Sequence, residues 1–168
     1  ARVGLVMANY PNRDGRLANG VGLDTPASVH AAMRTMAAAG YDIDALPPDS
    51  AGLVSDLRAG PTNAGWQGRA CDAAMPLEAY RRAFAQLPDA LRQAVIDRWG
   101  DVADDPMCDG KALRLPLRRY GKVVVAVQPA RGYNIDPKAT YHSPDLVPPH
   151  NYFALYWWMR HDFGIDAV

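Results

Sequence analysis

Residues 128–150 gather Arg131, Tyr133, Asp136, Lys138, Tyr141, His142, Asp145 and His150 into one stretch between a strand-like and a helix-like segment. Few structural connections need so many ionisable side chains. Prolines at 129, 137, 144, 148 and 149 restrict the backbone, and a restricted loop loses less entropy when it holds side chains toward a ligand. Imidazole serves as a base or a metal ligand near neutral pH, so His142 and His150 are the candidates for proton or metal chemistry. Their spacing matches no helical metal pair, and nothing in the spacing makes Asp136 and Asp145 converge on them. The plainer reading of His150, beside Pro149 at a helix start, is a capping or surface residue.

A second stretch, residues 9–24, carries Arg13, Arg16, Gly15, Gly20, Gly22 and a helix amino terminus, a combination suited to carboxylate or phosphate. It lacks the Gly-Lys-Ser/Thr ending of a phosphate-binding P-loop. Its glycines also lie too far past the preceding strand for a dinucleotide fingerprint. The alternative is a glycine-permitted loop whose arginines pair with Asp14 and Asp24. His30, inside a helix, and His161, in the last turn of another, read as structural, as does the aromatic run Tyr156-Trp157-Trp158. The sequence has no nucleophile elbow, zincin motif or diagnostic carboxylate pair.

The elements that position these residues follow from hydrophobic pattern. Residues 2–8, continuously apolar from Val3 onward, read as a strand buried on both faces. A helix follows, with Thr25 as its cap, Pro26 in its first turn, Val29, Met33, Met36 and Ala37 on one stripe, and Gly40 as its stop. A short helix covers 51–59, and residues 61–75 read as an irregular loop. Helices at 77–86 and 89–99 flank Pro88, the second with Leu91, Val95 and Trp99 on one side. Leu113, Leu115 and Leu117 alternate with polar residues, a turn follows at Tyr120-Gly121, and 122–128 is β-branched and apolar, which predicts a hairpin. The last helix spans 149–163 and ends at Gly164, and residues 165–168 read as a strand that has begun. Strands alternating with helices predict an α/β layered domain over 1–168, with a mostly parallel sheet, flanking helices, a β-hairpin and a helical insertion at 61–111.

Composition narrows the class of function. The 168 residues carry 18 basic and 18 acidic side chains and are 49% apolar, so a real core is available and no charged block marks a nucleic-acid or anionic-membrane partner. No apolar run nears the roughly 20 residues of a membrane span. The two cysteines, Cys71 and Cys108, have no CxxC spacing, which fits a reducing, cytoplasmic setting better than a disulfide or thiolate-zinc framework. A first residue of Ala and a strand beginning at once suggest an excerpt of a longer protein.

Residues 9–24 and 128–149 both follow strands, and each is longer than an ordinary connector. Ligands in open α/β sheets bind beyond the carboxyl ends of strands, so the two loops meet over one crevice if their strands are parallel neighbours. These same loops carry a resemblance. Ala8-Asn9-Tyr10-Pro11-Asn12-Arg13-Asp14-Gly15-Arg16-Leu17-Ala18-Asn19-Gly20-Val21-Gly22-Leu23-Asp24-Thr25-Pro26-Ala27-Ser28 closely resembles the large subunit of aerobic cobaltochelatase. So do Gln128-Pro129-Ala130-Arg131-Gly132-Tyr133 and Tyr141-His142-Ser143-Pro144-Asp145-Leu146-Val147-Pro148-Pro149-His150. The likeness covers most of the chain and is weakest at 64–75 and 101–111.

The resemblance to this family, shared with the magnesium chelatase large subunit, implies a tetrapyrrole-binding part of an ATP-dependent chelatase. In the cobalt branch the substrates would be Co²⁺ and hydrogenobyrinic acid a,c-diamide, in cobalamin synthesis. ATP and Mg²⁺ would belong to partners, an AAA+ ATPase subunit and its companion chelatase subunit, and not to this chain. It further implies that family members continue past this segment, which would be inactive alone. Metal insertion needs a base, a rigid cradle and oxygen or nitrogen ligands. On that footing His142 is the candidate for proton or metal transfer, with Asp136 assisting and His150 a second metal-ligand candidate. Arg13, Arg16, Arg131 and Lys138 would bind the corrinoid carboxylates. Asn9, Asp14, Tyr133 and Tyr141 complete the expected substrate-binding set. Two alternatives stand beside it: the magnesium branch with a flat porphyrin, and a non-catalytic docking module for the ATPase subunits.

Overall fold

A computed structural model describes residues 1–9, 17–18, 22–132 and 146–168. Their order is β1 (Val3–Met7), α1 (Thr25–Ala38), α2 (Ser50–Ala59), β2 (Ala74–Pro76), α3 (Leu77–Phe84), α4 (Asp89–Trp99), β3 (Ala112–Arg114), β4 (Leu117–Tyr120), β5 (Val123–Val127) and α5 (His150–Trp157). A 3₁₀ turn at Val102–Asp104 follows α4, and π-helical turns at Trp158–Phe163 extend α5.

The all-apolar, mostly β-branched β5 is buried along its whole length and forms the middle of a three-stranded sheet, β1-β5-β4. Side chains alternate across a strand, so β5 feeds two cores. Val125 and Val127 join Met7, Met33, Leu53, Leu57 and Tyr120 beneath α1 and α2. Val124 and Ala126 join Leu113, Leu115, Leu117, Tyr80, Leu155 and Met159 beneath α3, α5 and the small β2-β3 sheet.

The α/β layering expected from the sequence is present, and the sheet is mixed rather than mostly parallel. β1 pairs with β5 in parallel, Val3 opposite Val123 through Met7 opposite Val127. β4 pairs with β5 antiparallel because only the two residues Gly121 and Lys122 join them, a connection too short for a parallel crossover. The expected hairpin is therefore narrower than the alternation of leucines suggests. Pro116 offers no N–H to a ladder, and it separates β4 from β3, which pairs instead with β2 at the end of the stretch read as irregular loop. Ala167 adds one isolated parallel bridge to Val3 on the other side of β1, and the run at 165–168 forms no further strand pairing.

Helix starts correct one further expectation. The cap of α1 is Asp24, whose carboxylate accepts from Ala27 N at 3.0 Å, and Thr25 is the first helical residue. Asp49 caps α2 in the same way, accepting from Gly52 N at 2.8 Å. The 77–86 helix is shorter than expected, ending at Phe84.

Gly121 turns the β4-β5 hairpin with φ +61°, and a Cβ there would lie 2.7 Å from the Asp42 carbonyl oxygen. That close approach lets Lys122 N donate to Asp42 O at 2.9 Å, tying the α1-α2 connection to the hairpin. Two substitutions should separate backbone from core effects in urea unfolding followed by circular dichroism. Leu53→Ala, at a fully buried position, is expected to cost about 2–5 kcal/mol. Asp24→Ala, which removes only a cap, should cost about 1 kcal/mol.

Candidate functional site at the carboxyl ends of β1 and β5

Parallel pairing places the carboxyl ends of β1 and β5 side by side. Gln128 N, the first amide past β5, donates to Met7 O, the last carbonyl of β1, at 2.9 Å. The condition for a shared crevice is met: the connections 8–24 and 128–149 leave the sheet from adjacent points.

The first connection is tied back to the sheet. Asn9 is buried, and its Oδ1 accepts from Ala18 N at 3.0 Å. Ala18 holds φ +57°, a left-handed conformation that a non-glycine residue adopts only when its surroundings enforce it. Here the enforcement is the Asn9 bond together with burial of Leu17 and Ala18 in the core under α1 and α2. Asn9, expected to touch substrate, thus spends its side-chain oxygen on shaping the loop.

The second connection is held at both ends. At its start, Asn63 donates from Nδ2 to Gln128 O at 2.9 Å and accepts at Oδ1 from Ala130 N at 3.3 Å. The loop presenting Asn63 is built on buried Thr62, which exchanges backbone bonds with Gly65 and accepts at Oγ1 from Arg69 Nη1 at 2.9 Å. Gln128 also donates from Nε2 to the Tyr152 hydroxyl at 3.0 Å, so the strand end and α5 are joined directly.

At its finish, Trp99 Nε1 donates to Val147 O at 2.9 Å. His150, 2% exposed, has both ring nitrogens engaged: Nε2 with Gly100 O at 3.0 Å and Nδ1 with the Tyr80 hydroxyl at 2.7 Å. A carbonyl only accepts, so Nε2 donates to Gly100 O, while Nδ1 pairs with the Tyr80 hydroxyl. With both nitrogens engaged within the fold, His150 would have to give up one of these bonds to serve as the metal ligand expected from the sequence. Asp105 Oδ2 accepts from Asn151 N at 3.1 Å and so caps α5 from outside, where Pro149 offers no side-chain cap. Asn151 Nδ2 in turn donates to Arg114 O at 3.1 Å.

Of the other expected site residues, Arg131 is half-buried just past β5. Arg13, Asp14, Arg16, Tyr133, Asp136, Lys138, Tyr141 and His142 lie outside the described residues. Among the described residues no group of three His, Cys, Asp or Glu side chains could hold a metal. Burial pushes the Cys108 thiol up, with only partial relief from the Gly110 N–H, so it is no activated nucleophile. His30 is structural: its Nε2 contacts Pro47 O at 2.8 Å. No helix among the described residues is long and apolar enough to cross a membrane.

Sequence reasoning missed Asn63, Tyr80 and Asp105. Each acts on a residue 46 to 70 positions away, and no local spacing signals such a contact. The one available hint was the run of turn formers Pro61, Thr62 and Asn63, which marks a loop without saying what it grips.

A family model for CobN/Magnesium Chelatase matches residues 1–168. The chain belongs to the CobN/Magnesium Chelatase family. It is 50% identical over 167 residues to the aerobic cobaltochelatase subunit CobN of Sinorhizobium sp, a match covering 99% of this chain and 13% of the relative. Identity to a magnesium-chelatase subunit of Rhodobacter capsulatus is 27% over 167 residues, covering 99% of this chain and 14% of the relative. The solved catalytic subunit of cobaltochelatase from Mycobacterium tuberculosis matches with a TM-score of 0.75 at 34% identity, over 94% of this chain and 13% of that one. The chain therefore spans about 13–14% of the length of these family members.

Three phenols resist ionisation. Tyr80 is raised well above the usual value of about 10, by burial first and then by the Asp105 charge. Tyr120 is raised by burial and by Asp56, and Tyr156 by burial and by Tyr152. A folded-state value raised above the unfolded one gives stability that is full below about pH 10 and lost as pH climbs further. In an alkaline titration, phenolate absorbance from these three tyrosines should appear only together with loss of far-UV circular dichroism.

Proposed function

We propose that this segment forms part of the tetrapyrrole site of a cobaltochelatase large subunit, which inserts Co²⁺ into hydrogenobyrinic acid a,c-diamide in the cytoplasm. The observation that carries this reading is the adjacency of the carboxyl ends of β1 and β5, bonded through Gln128 N and Met7 O at 2.9 Å. The identity gradient favours the cobalt branch over the magnesium branch, 50% against 27% over alignments of equal length.

Metal insertion removes two inner pyrrolic protons, holds a puckered macrocycle and delivers a partly dehydrated cation. In this reading His142 accepts or relays protons, or hands over the metal, and Asp136 orients it. Arg13 and Arg16 from the first loop, with Arg131 and Lys138 from the second, clamp peripheral carboxylates from two sides by charge-assisted hydrogen bonds. Asp14, Tyr133 and Tyr141 line the same cradle, and Asn9 contributes by fixing the first loop through Ala18. In this reading ATP hydrolysis, with its Mg²⁺, belongs to an AAA+ partner acting with a companion subunit.

His142→Ala in the full-length subunit, assembled with its partners, is expected to abolish Co²⁺ insertion while leaving the circular dichroism spectrum and corrinoid binding in place. Turnover at the unsubstituted rate would remove His142 from the mechanism.

A further inference from the structure

Most residues that hold the second connection come from one part of the chain. Asn63, Tyr80, Trp99, Gly100, Asp105 and Arg114 all belong to the segment between α2 and β4, and all bond to 128–130 or 147–151. The bonds at the far end converge on the turn that starts α5, where His150 is wedged between the Tyr80 hydroxyl and the Gly100 carbonyl.

This arrangement is more than packing requires. Tyr80 is 0% exposed and His150 2%, within a cluster of Phe84, Trp157 and leucines that apolar side chains would fill without desolvating polar groups. What the polar pair adds is direction. An imidazole with Nε2–H on one fixed carbonyl and Nδ1 on one fixed hydroxyl has a single orientation, whereas an apolar contact tolerates sliding. Burial and the Asp105 charge keep Tyr80 protonated, so its O–H is always there to donate.

We propose that Tyr80 and His150 are positioning residues: they set where the carboxyl end of the second connection sits relative to β5, and through it the placement of the reacting groups on that connection. This rests on the chelatase reading of the two loops above. Both side chains are buried within the fold. Their effect is on geometry, and displacements of about 1 Å can change a rate by about a hundredfold.

The test uses the full-length subunit assembled with its ATPase partners, with Co²⁺ and hydrogenobyrinic acid a,c-diamide as substrates. Tyr80→Phe removes one oxygen and strands Nδ1. The pair Tyr80→Phe with His150→Leu removes the hydroxyl and the imidazole together, so that only the half-buried Gly100 carbonyl loses its donor, and it restores much of the stability lost by stranding Nδ1. Positioning predicts that the double variant melts close to the unsubstituted protein and binds the corrinoid within about twofold. It also predicts a kcat at least tenfold lower, on the order of what modest misplacement costs, with faster amide exchange at residues 146–151. If kcat instead follows melting temperature, recovering in the double variant, the proposal is overturned and the pair is merely structural. His142→Ala run in parallel separates the two readings. An inactive His142→Ala beside fully active Tyr80 and His150 variants overturns the positioning role alone, whereas a fully active His142→Ala overturns the loop chemistry on which it rests.

Discussion

Two strands more than a hundred residues apart in sequence, β1 and β5, lie side by side and point the same way, and the connections leaving them must begin next to each other. A parallel pair cannot be closed by a tight turn, so the chain between them has to cross over, here by way of α1, α2 and the segment that carries α3 and α4. β5 can serve as the shared centre because every side chain on it is apolar and buried, feeding one core on each face. The chemistry assigned to the loops depends on this one register. Without it, the connections whose sequences carry Arg13 and Arg131 would leave the sheet from unrelated points.

The crossover does more than return the chain. Its first half covers one face of the sheet with α1 and α2, and its second half grips the connection that leaves β5. Asn63 fixes the start of that connection, and Trp99, the Gly100 carbonyl, Tyr80 and Asp105 fix its finish. Buried polar contacts of this kind add little net stability but specify geometry, which a site on long loops needs more than a site on strands does.

Much of this was legible from residue pattern. The apolar β-branched run around Val123 to Val127, the amphipathic stripe of Val29, Met33 and Met36, and the two long connections each have a short-range signature. So does the likeness of residues 8–28 and 128–150 to one family, which the match across residues 1–168 bears out. Strand direction was less accessible. The two-residue link at Gly121-Lys122 forces β4 antiparallel, and Pro116 breaks what alternation alone presents as one strand. The role of His150 was hidden for a different reason. A histidine beside Pro149 at a helix start suits a ligand or a cap, and only the arrival of Tyr80 and Gly100 through tertiary packing takes up both nitrogens.

The most direct test of the shared crevice is a double-mutant cycle across it. Hydrogenobyrinic acid a,c-diamide would be titrated into the full-length subunit and into Arg13→Ala, Arg131→Ala and the double variant, following corrinoid absorbance. Two loops holding one ligand predict that each substitution weakens binding and that the pair is non-additive by about 0.5–3 kcal/mol. Affinity unchanged by either substitution would contradict a site built between the ends of β1 and β5.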